Sequence, residues 1–153
     1  MTKRIFRSKI LTDTKPLYRL ITTWLGLTSD HGYAKYLLEY LNKLGISLAS
    51  VWPVFTEALY FFYRDHRGRR DFNEKLADLK RILVGVEEIS VEFHEVVKHI
   101  TRDFGLADTA LLEAAKRDPL LTILSEDSRL VNRARSMGIR AFTPCELLSI
   151  GLE

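Results

Sequence analysis

The sequence predicts an α/β protein, a three-layer α/β/α sandwich around a mostly parallel central sheet of about five strands. Three observations lead there. Short apolar or β-branched runs alternate with longer stretches of helical period, the pattern of a parallel sheet with helices on both faces. The run Leu121–Leu124 is apolar or β-branched throughout, as a strand buried on both faces should be. The 153 residues are 46% apolar, with no internal repeat, low-complexity tract or linker, which suits a single domain spanning 1–153.

The elements follow in order. Lys9–Thr12 fits a first strand ending at Asp13. Pro16 suits the first turn of a helix from Leu17 to about Leu25, because its missing N–H costs nothing there. Gly26, Ser29, Asp30 and Gly32 mark a loop. Leu37, Leu38, Leu41 and Leu44 recur at helical spacing up to Gly45, which reads as the stop. Ile46–Val51 fits a second strand, and Pro53 opens the very apolar helix VFTEALYFFYRD, broken by HRGRR. Asp71–Val84 is amphipathic. Glu88–Val91 reads as a weak third strand and Glu92–Phe104 as a helix closed by Gly105. Asp108 opens a further helix that feeds the strand Leu121–Leu124. The acidic turn Ser125–Glu126–Asp127 leads into an arginine-bearing helix, a fifth strand at Ile139–Phe142 and a turn or helix from Pro144.

Bulk chemistry narrows the class. Cys145 is the single cysteine, so neither an internal disulfide nor a cysteine cluster for zinc is available, and it reads as structural. The opening MTKRIFRSKILTDTK is broken by charge and lacks the apolar core of a signal peptide. No apolar run approaches the roughly 20 residues that span a bilayer. The expectation is a soluble, cytoplasmic protein. The net charge is +3; if four acids were gathered in one cleft, 23 cations would face the 16 remaining acids, a body of +7 that suits a polyanionic substrate.

Four acids stand out. Asp13 follows the first strand, Asp127 follows the fourth, and Asp108 opens the helix that feeds the fourth. Glu57 is the lone acid among the first ten residues of an apolar helix. Singly, each aspartate is well explained as a helix N-cap, and Glu57 as a solvent-facing residue. Jointly, they repel one another and lose hydration unless a cation neutralises them. Magnesium takes hard oxygen ligands, a few carboxylates completed by waters and substrate phosphate. Glu126 reads as a bystander, since neighbouring residues do not easily turn into one cleft.

In order and spacing these residues resemble the PIN-domain nucleases, over about Ile10 to Leu148. ILTDTKPLYRL is similar to that family's first strand with its acid and hydroxyl, and GISLASVWPVFTEALYFF to its unit with an early helical glutamate. FGLADTALLEAA resembles its third-acid motif, and LTILSEDSRLVNRARSMGI its closing motif, in which a hydroxyl precedes an aspartate by two. The resemblance, which extends to the toxin-like ribonucleases of the family, implies a metal-dependent endoribonuclease that hydrolyses RNA phosphodiester bonds with Mg²⁺ or Mn²⁺. Asp13, Glu57, Asp108 and Asp127 would be its catalytic and metal-binding acids, with Thr14 and Ser125 orienting the acidic turns. It further implies RNA as partner, and an antitoxin protein and a homodimer as further partners. Lys15 departs from the asparagine common there and is expected to pair with a site acid. A serine stands for the usual threonine at 125, and there is extra length at Leu27–Tyr33 and Gly68–Asp71.

Arginines supply candidate RNA contacts through bidentate phosphate bonds. Arg64, Arg67, Arg69 and Arg70 cluster beside the Glu57 helix, and Arg129 and Arg133 follow Asp127. Tyr60 and Tyr63 are candidate stacking residues, with core or interface as the alternative. The helix Val54–Tyr63 is a candidate dimer face. His94 and His99 stand five apart, not four, which removes the zinc-protease motif. The rival function is a catalytically silent module that keeps the fold and binds RNA or a protein.

Overall fold

The computed structural model describes residues 9–29 and 32–151. The charged stretch 1–8 and the loop residues Asp30 and His31 lie outside the described residues. Among the described residues the chain runs β1 (Lys9–Thr12), α1 (Thr14–Trp24), α2 (Ala34–Leu44), β2 (Leu48–Ser50), α3 (Trp52–His66), α4 (Phe72–Val84), β3 (Glu87–Glu88). It continues with α5 (Phe93–Val97), α6 (Leu106–Arg117), β4 (Leu121–Leu124), α7 (Ser128–Ser136), β5 (Ala141–Phe142) and α8 (Pro144–Gly151).

The five strands form one sheet, ordered β3-β2-β1-β4-β5, and every pairing is parallel. Side chains alternate across it. Leu11, Ala49, Ile123 and Ala141 enter one core with residues of α1, α3, α4, α6 and α7. Ile10 and Leu124 face the other way, into a core with Leu20, Leu37, Leu41 and Leu147 from α1, α2 and α8. Two cores flanking one sheet make the three-layer α/β/α sandwich, and β1 and β4 read as continuous apolar runs because both of their faces are covered. No described helix is long and apolar enough to cross a membrane.

Local chemistry sets the ends. Gly45 takes φ +63° to stop α2, a backbone region that costs a side chain with a Cβ about 1–2 kcal/mol. Pro53 sits in the first turn of α3, where no intrahelical N–H is needed. The expected helix Glu92–Phe104 shrinks to α5, five residues long. Its Val96 is buried, but Phe93, Val97 and Ile100 are exposed, so no apolar stripe holds further turns against the core. The third strand is Glu87–Glu88 rather than Glu88–Val91, because only two residues pair with β2. Cys145 is exposed on α8, so its expected structural role is not met.

Strand order reverses at β1: the chain builds outward to β2 and β3, then returns to lay β4 on β1's other side. In open α/β sheets ligands bind beyond the carboxyl ends of the strands at such a switch point. Thr12 pairs with Leu124, and the Asp13 N–H donates to the Leu124 carbonyl at 2.8 Å. Asp13 and Ser125, the first residues beyond these strands, therefore open on the same crevice.

Candidate functional site

Asp13 has extended backbone and caps α1: its Oδ1 accepts the Thr14 N–H at 2.7 Å. Its Oδ2 accepts the Ser125 hydroxyl, also at 2.7 Å. Ser125 Oγ accepts in turn the Asp127 N–H at 3.0 Å, and Asp127 Oδ1 caps α7 by accepting the Arg129 N–H at 2.9 Å. Ser125 is fully buried, so it acts as a fixed strut between the two aspartates. Asp13 and Asp127 are thus both helix N-caps, as the local reading of each expected.

Asp108 corrects one expectation. α6 begins at Leu106 with Gly105 as its N-cap, so Asp108 lies inside the first turn rather than opening the helix. The macrodipole favours an acid there, yet other forces dominate. Burial, then the charges of Asp13, Asp127 and Glu57, push Asp108 up to about 6, while Arg129 acts the other way. Burial also lifts Asp13, helped by Asp127 and Glu126 and opposed by its bonds from Ser125 and Thr14. Glu57 projects from the second turn of α3 and is raised by burial and by Asp13, with Thr14 opposing. The four acids expected from the sequence thus interact electrostatically across one space.

That space is a cleft of about 540 Å³ lined by Asp13, Thr14, Lys15, Glu57, Asp108, Glu126, Asp127 and Arg129, with Phe61 and Gly105–Ala107 completing the wall. Of the two hydroxyls expected to orient the acidic turns, Ser125 bonds both aspartates, whereas Thr14 reaches Asp13 through its backbone N–H alone. Thr14 Oγ1 is buried with no hydrogen-bond partner of full geometry, though near enough to Glu57 to favour its ionised form.

Other expectations disperse. Of the six candidate RNA-binding arginines, Arg129 alone lines the cleft. Arg64 is paired with Asp65 at 2.8 Å and lies over the Phe61 ring at 4.6 Å, and Arg69 is paired with Asp71 at 2.8 Å. Arg67 and Arg70 are exposed on the turn after α3. Arg133 lines a separate hollow with Lys98, His99, Glu113 and Lys116. Tyr60 is exposed and Tyr63 packs edge-on against Phe72. Lys15 makes no ion pair among the described residues, contrary to the expected pairing with a site acid.

Glu126, read as a bystander, is part of the cleft wall. Burial alone would raise it, but hydrogen bonds from Arg19 and from the Tyr33 hydroxyl outweigh that and hold it below the usual range. Adjacency to Asp127 does turn it aside, toward α1 and the start of α2. Arg19 and Tyr33 were missed; no local spacing signals contacts that span 107 and 93 residues.

Among the described residues no three of the Asp, Glu, His and Cys side chains converge closely enough, as they stand, to coordinate one ion. The cleft offers hard oxygens one or two at a time, the number of protein carboxylates magnesium usually takes, with waters for the rest. Carboxylate oxygens are the hard donors that Mg²⁺ or Mn²⁺ prefers, and all four sequence-expected acids line this one cleft.

The fold and site define a class: a three-layer α/β/α sandwich with an acid-lined crevice at its switch point. No protein-family model matches this sequence, and no curated protein does. In its fold the chain is similar to the crystal structure of PAE2754 from Pyrobaculum aerophilum, with a TM-score of 0.63 and 19% identity over 95% of this chain and 98% of that one. At that identity the likeness establishes a shared fold.

Proposed function

We propose that this protein is a metal-dependent endoribonuclease of the PIN-like kind, hydrolysing phosphodiester bonds of RNA in the cytoplasm. One observation carries the reading. Asp13, Glu57, Asp108 and Asp127 come from four separate elements into one cleft, where three of them are pushed above their ordinary range. Such crowding destabilises a fold and is hard to explain without a cation to relieve it.

A bound Mg²⁺ or Mn²⁺ would supply a Lewis acid for the phosphate and an acidified water. Asp13 and Asp108 would hold it, with Asp127 and Glu57 direct or through water. Ser125 fixes Asp13 and Asp127 relative to each other through the two bonds made by its hydroxyl. The Thr14 N–H steadies the capped turn of Asp13 and its side chain favours ionised Glu57, and Glu57 or Asp127 would orient the water. Without metal Asp108 is raised to about 6, so as pH falls a proton competes with the metal for this carboxylate and more metal should be needed for activity.

The lack of a ready three-carboxylate cage favours a second reading, a silent module that binds RNA or protein. Incubation of single-stranded RNA with Mn²⁺ and either wild type, Asp13→Asn or Asp108→Asn separates them. Cleavage by wild type alone supports the nuclease. Equal cleavage by all three sinks it, and retention of RNA without cleavage gives the module. A toxin role, with an antitoxin partner and a homodimer as the working form, is part of the proposal and is tested by co-purification with the product of the neighbouring gene.

A further inference from the structure

The two helices that open onto the cleft begin alike. Asp13–Thr14–Lys15 follows β1 and Asp127–Ser128–Arg129 follows β4; in each an aspartate caps, a hydroxyl residue opens the helix and a cation comes next. That third position is a poor one for a cation. The helix N-terminus carries a partial positive charge, and a like charge in the first turn is repelled by it. Neither helix offsets this with an acid in its first turn.

Neither side chain is fixed by a hydrogen bond among the described residues, although the charge of Lys15 is felt at Glu126 and that of Arg129 at Asp108. Lys15 is exposed and makes no ion pair among the described residues. The Arg129 side chain is 69% exposed, and its Nε comes only to 3.9 Å from Asp127 Oδ1, beyond hydrogen-bond range. Both line the same cleft, and they are the cations among its lining residues. Lys15 follows Asp13 by two residues and Arg129 follows Asp127 by two, and Ser125 bridges these two acids.

An acid-lined cleft repels a polyanion. Relief of the acids by an ion at their centre leaves the phosphates on either side of the scissile one still facing Glu57, Asp127 and Glu126. We propose that Lys15 and Arg129 are paired phosphate holds, one on each side of the acids, which select a single-stranded chain with phosphates both upstream and downstream of the bond cut. The inference rests on the nuclease reading and adds to it the residues that choose an internal bond over a terminal one.

The test is the salt dependence of binding. A fluorescein-labelled single-stranded RNA of about 12 nucleotides, within the length one small domain covers, is titrated by anisotropy in Ca²⁺ over a range of KCl. Its integrity is checked by gel after each titration. Each phosphate contact on a single strand contributes about 0.7 to the slope of log K against log salt. Lys15→Gln and Arg129→Gln should each flatten the slope by about that amount and the double variant by about twice it, with binding several-fold weaker at low salt. Lys15→Arg should restore the slope. Lys43→Gln, exposed on α2 outside the cleft, should leave it unchanged. Both Gln variants should remain folded at the titration temperature by circular dichroism, so that a flatter slope reports a lost phosphate contact and not a lost fold. A wild type that cleaves RNA but whose slope ignores both substitutions overturns this inference alone. A wild type that neither binds nor cleaves RNA removes it together with the nuclease reading.

Discussion

Neutralising Asp108 is expected to make this protein more stable, although the substitution removes a carboxylate from the acid-lined cleft. Asp108 lies about 6 in the folded chain against 3.8 for an isolated aspartate. At 1.36 kcal/mol for each tenfold change in proton affinity, that gap is about 3 kcal/mol of strain in the ionised form. The residue is only partly buried, and solvent screening reduces the figure to about 1–2 kcal/mol. The sign follows from linkage. A carboxyl raised on folding binds its proton more tightly in the folded chain, so the penalty is complete above pH 6, shrinks as pH falls through 6, and is gone below 3.8. Asp108→Asn should therefore melt about 2–8 °C above wild type at pH 7.5 without metal, with the gain vanishing by about pH 4. Mn²⁺ should reverse the order. Saturation at a hundred times its dissociation constant stabilises wild type by about 2.7 kcal/mol, and Asp108→Asn should lose most of that. Scanning fluorimetry across pH, with EDTA or Mn²⁺, measures all of it. A variant gain that stays constant from pH 4 to pH 8 would refute the reasoning, because it would owe nothing to the crowded charges.

Three further outcomes follow from the geometry. Ser125→Ala removes a fully buried hydroxyl that both donates to Asp13 and accepts from Asp127; urea unfolding should show a loss of about 1–3 kcal/mol. Gly45→Ala forces a Cβ into φ +63° with open space around it, so backbone strain alone should cost about 1–2 kcal/mol, read as a lower denaturation midpoint at unchanged slope. Phe62→Ala empties the centre of the larger core, where Phe62 is fully buried against Phe72; about 3–5 kcal/mol should be lost, enough to leave little folded protein at 37 °C.

The sheet was legible where covalent pattern and burial agree. β1 and β4 fall at Lys9–Thr12 and Leu121–Leu124 as expected, because each is a short run covered on both faces and ended by an aspartate turn. The helix Glu92–Phe104 was misread because, of its apolar residues, only Val96 and Phe104 reach the core while Phe93, Val97 and Ile100 are exposed; periodicity records spacing, and burial depends on what packs opposite. The arginine clusters failed similarly. Arg64 and Arg69 neighbour the Glu57 helix in sequence, yet adjacent acids, Asp65 and Asp71, claim them first.

The four acids were legible only as a set, since each satisfies a local rule that any cap would satisfy. Asp108 and Glu126 mark the limit of that legibility. Both are acids of the same cleft wall, and burial opposes ionisation in both. Asp108 meets three carboxylates and rises; Glu126 meets the Arg19 guanidinium and the Tyr33 hydroxyl and falls. Residue type cannot separate them, and neither can spacing, because the deciding partners come from α1, α3 and the start of α2. The chain spends two donors to keep Glu126 charged and turned aside, and it leaves Asp108 with no comparable hydrogen bond. A fold optimised for stability alone would equalise these two acids. The contrast places the unmet demand for positive charge at Asp108 and its neighbours, where a cation has most to offset.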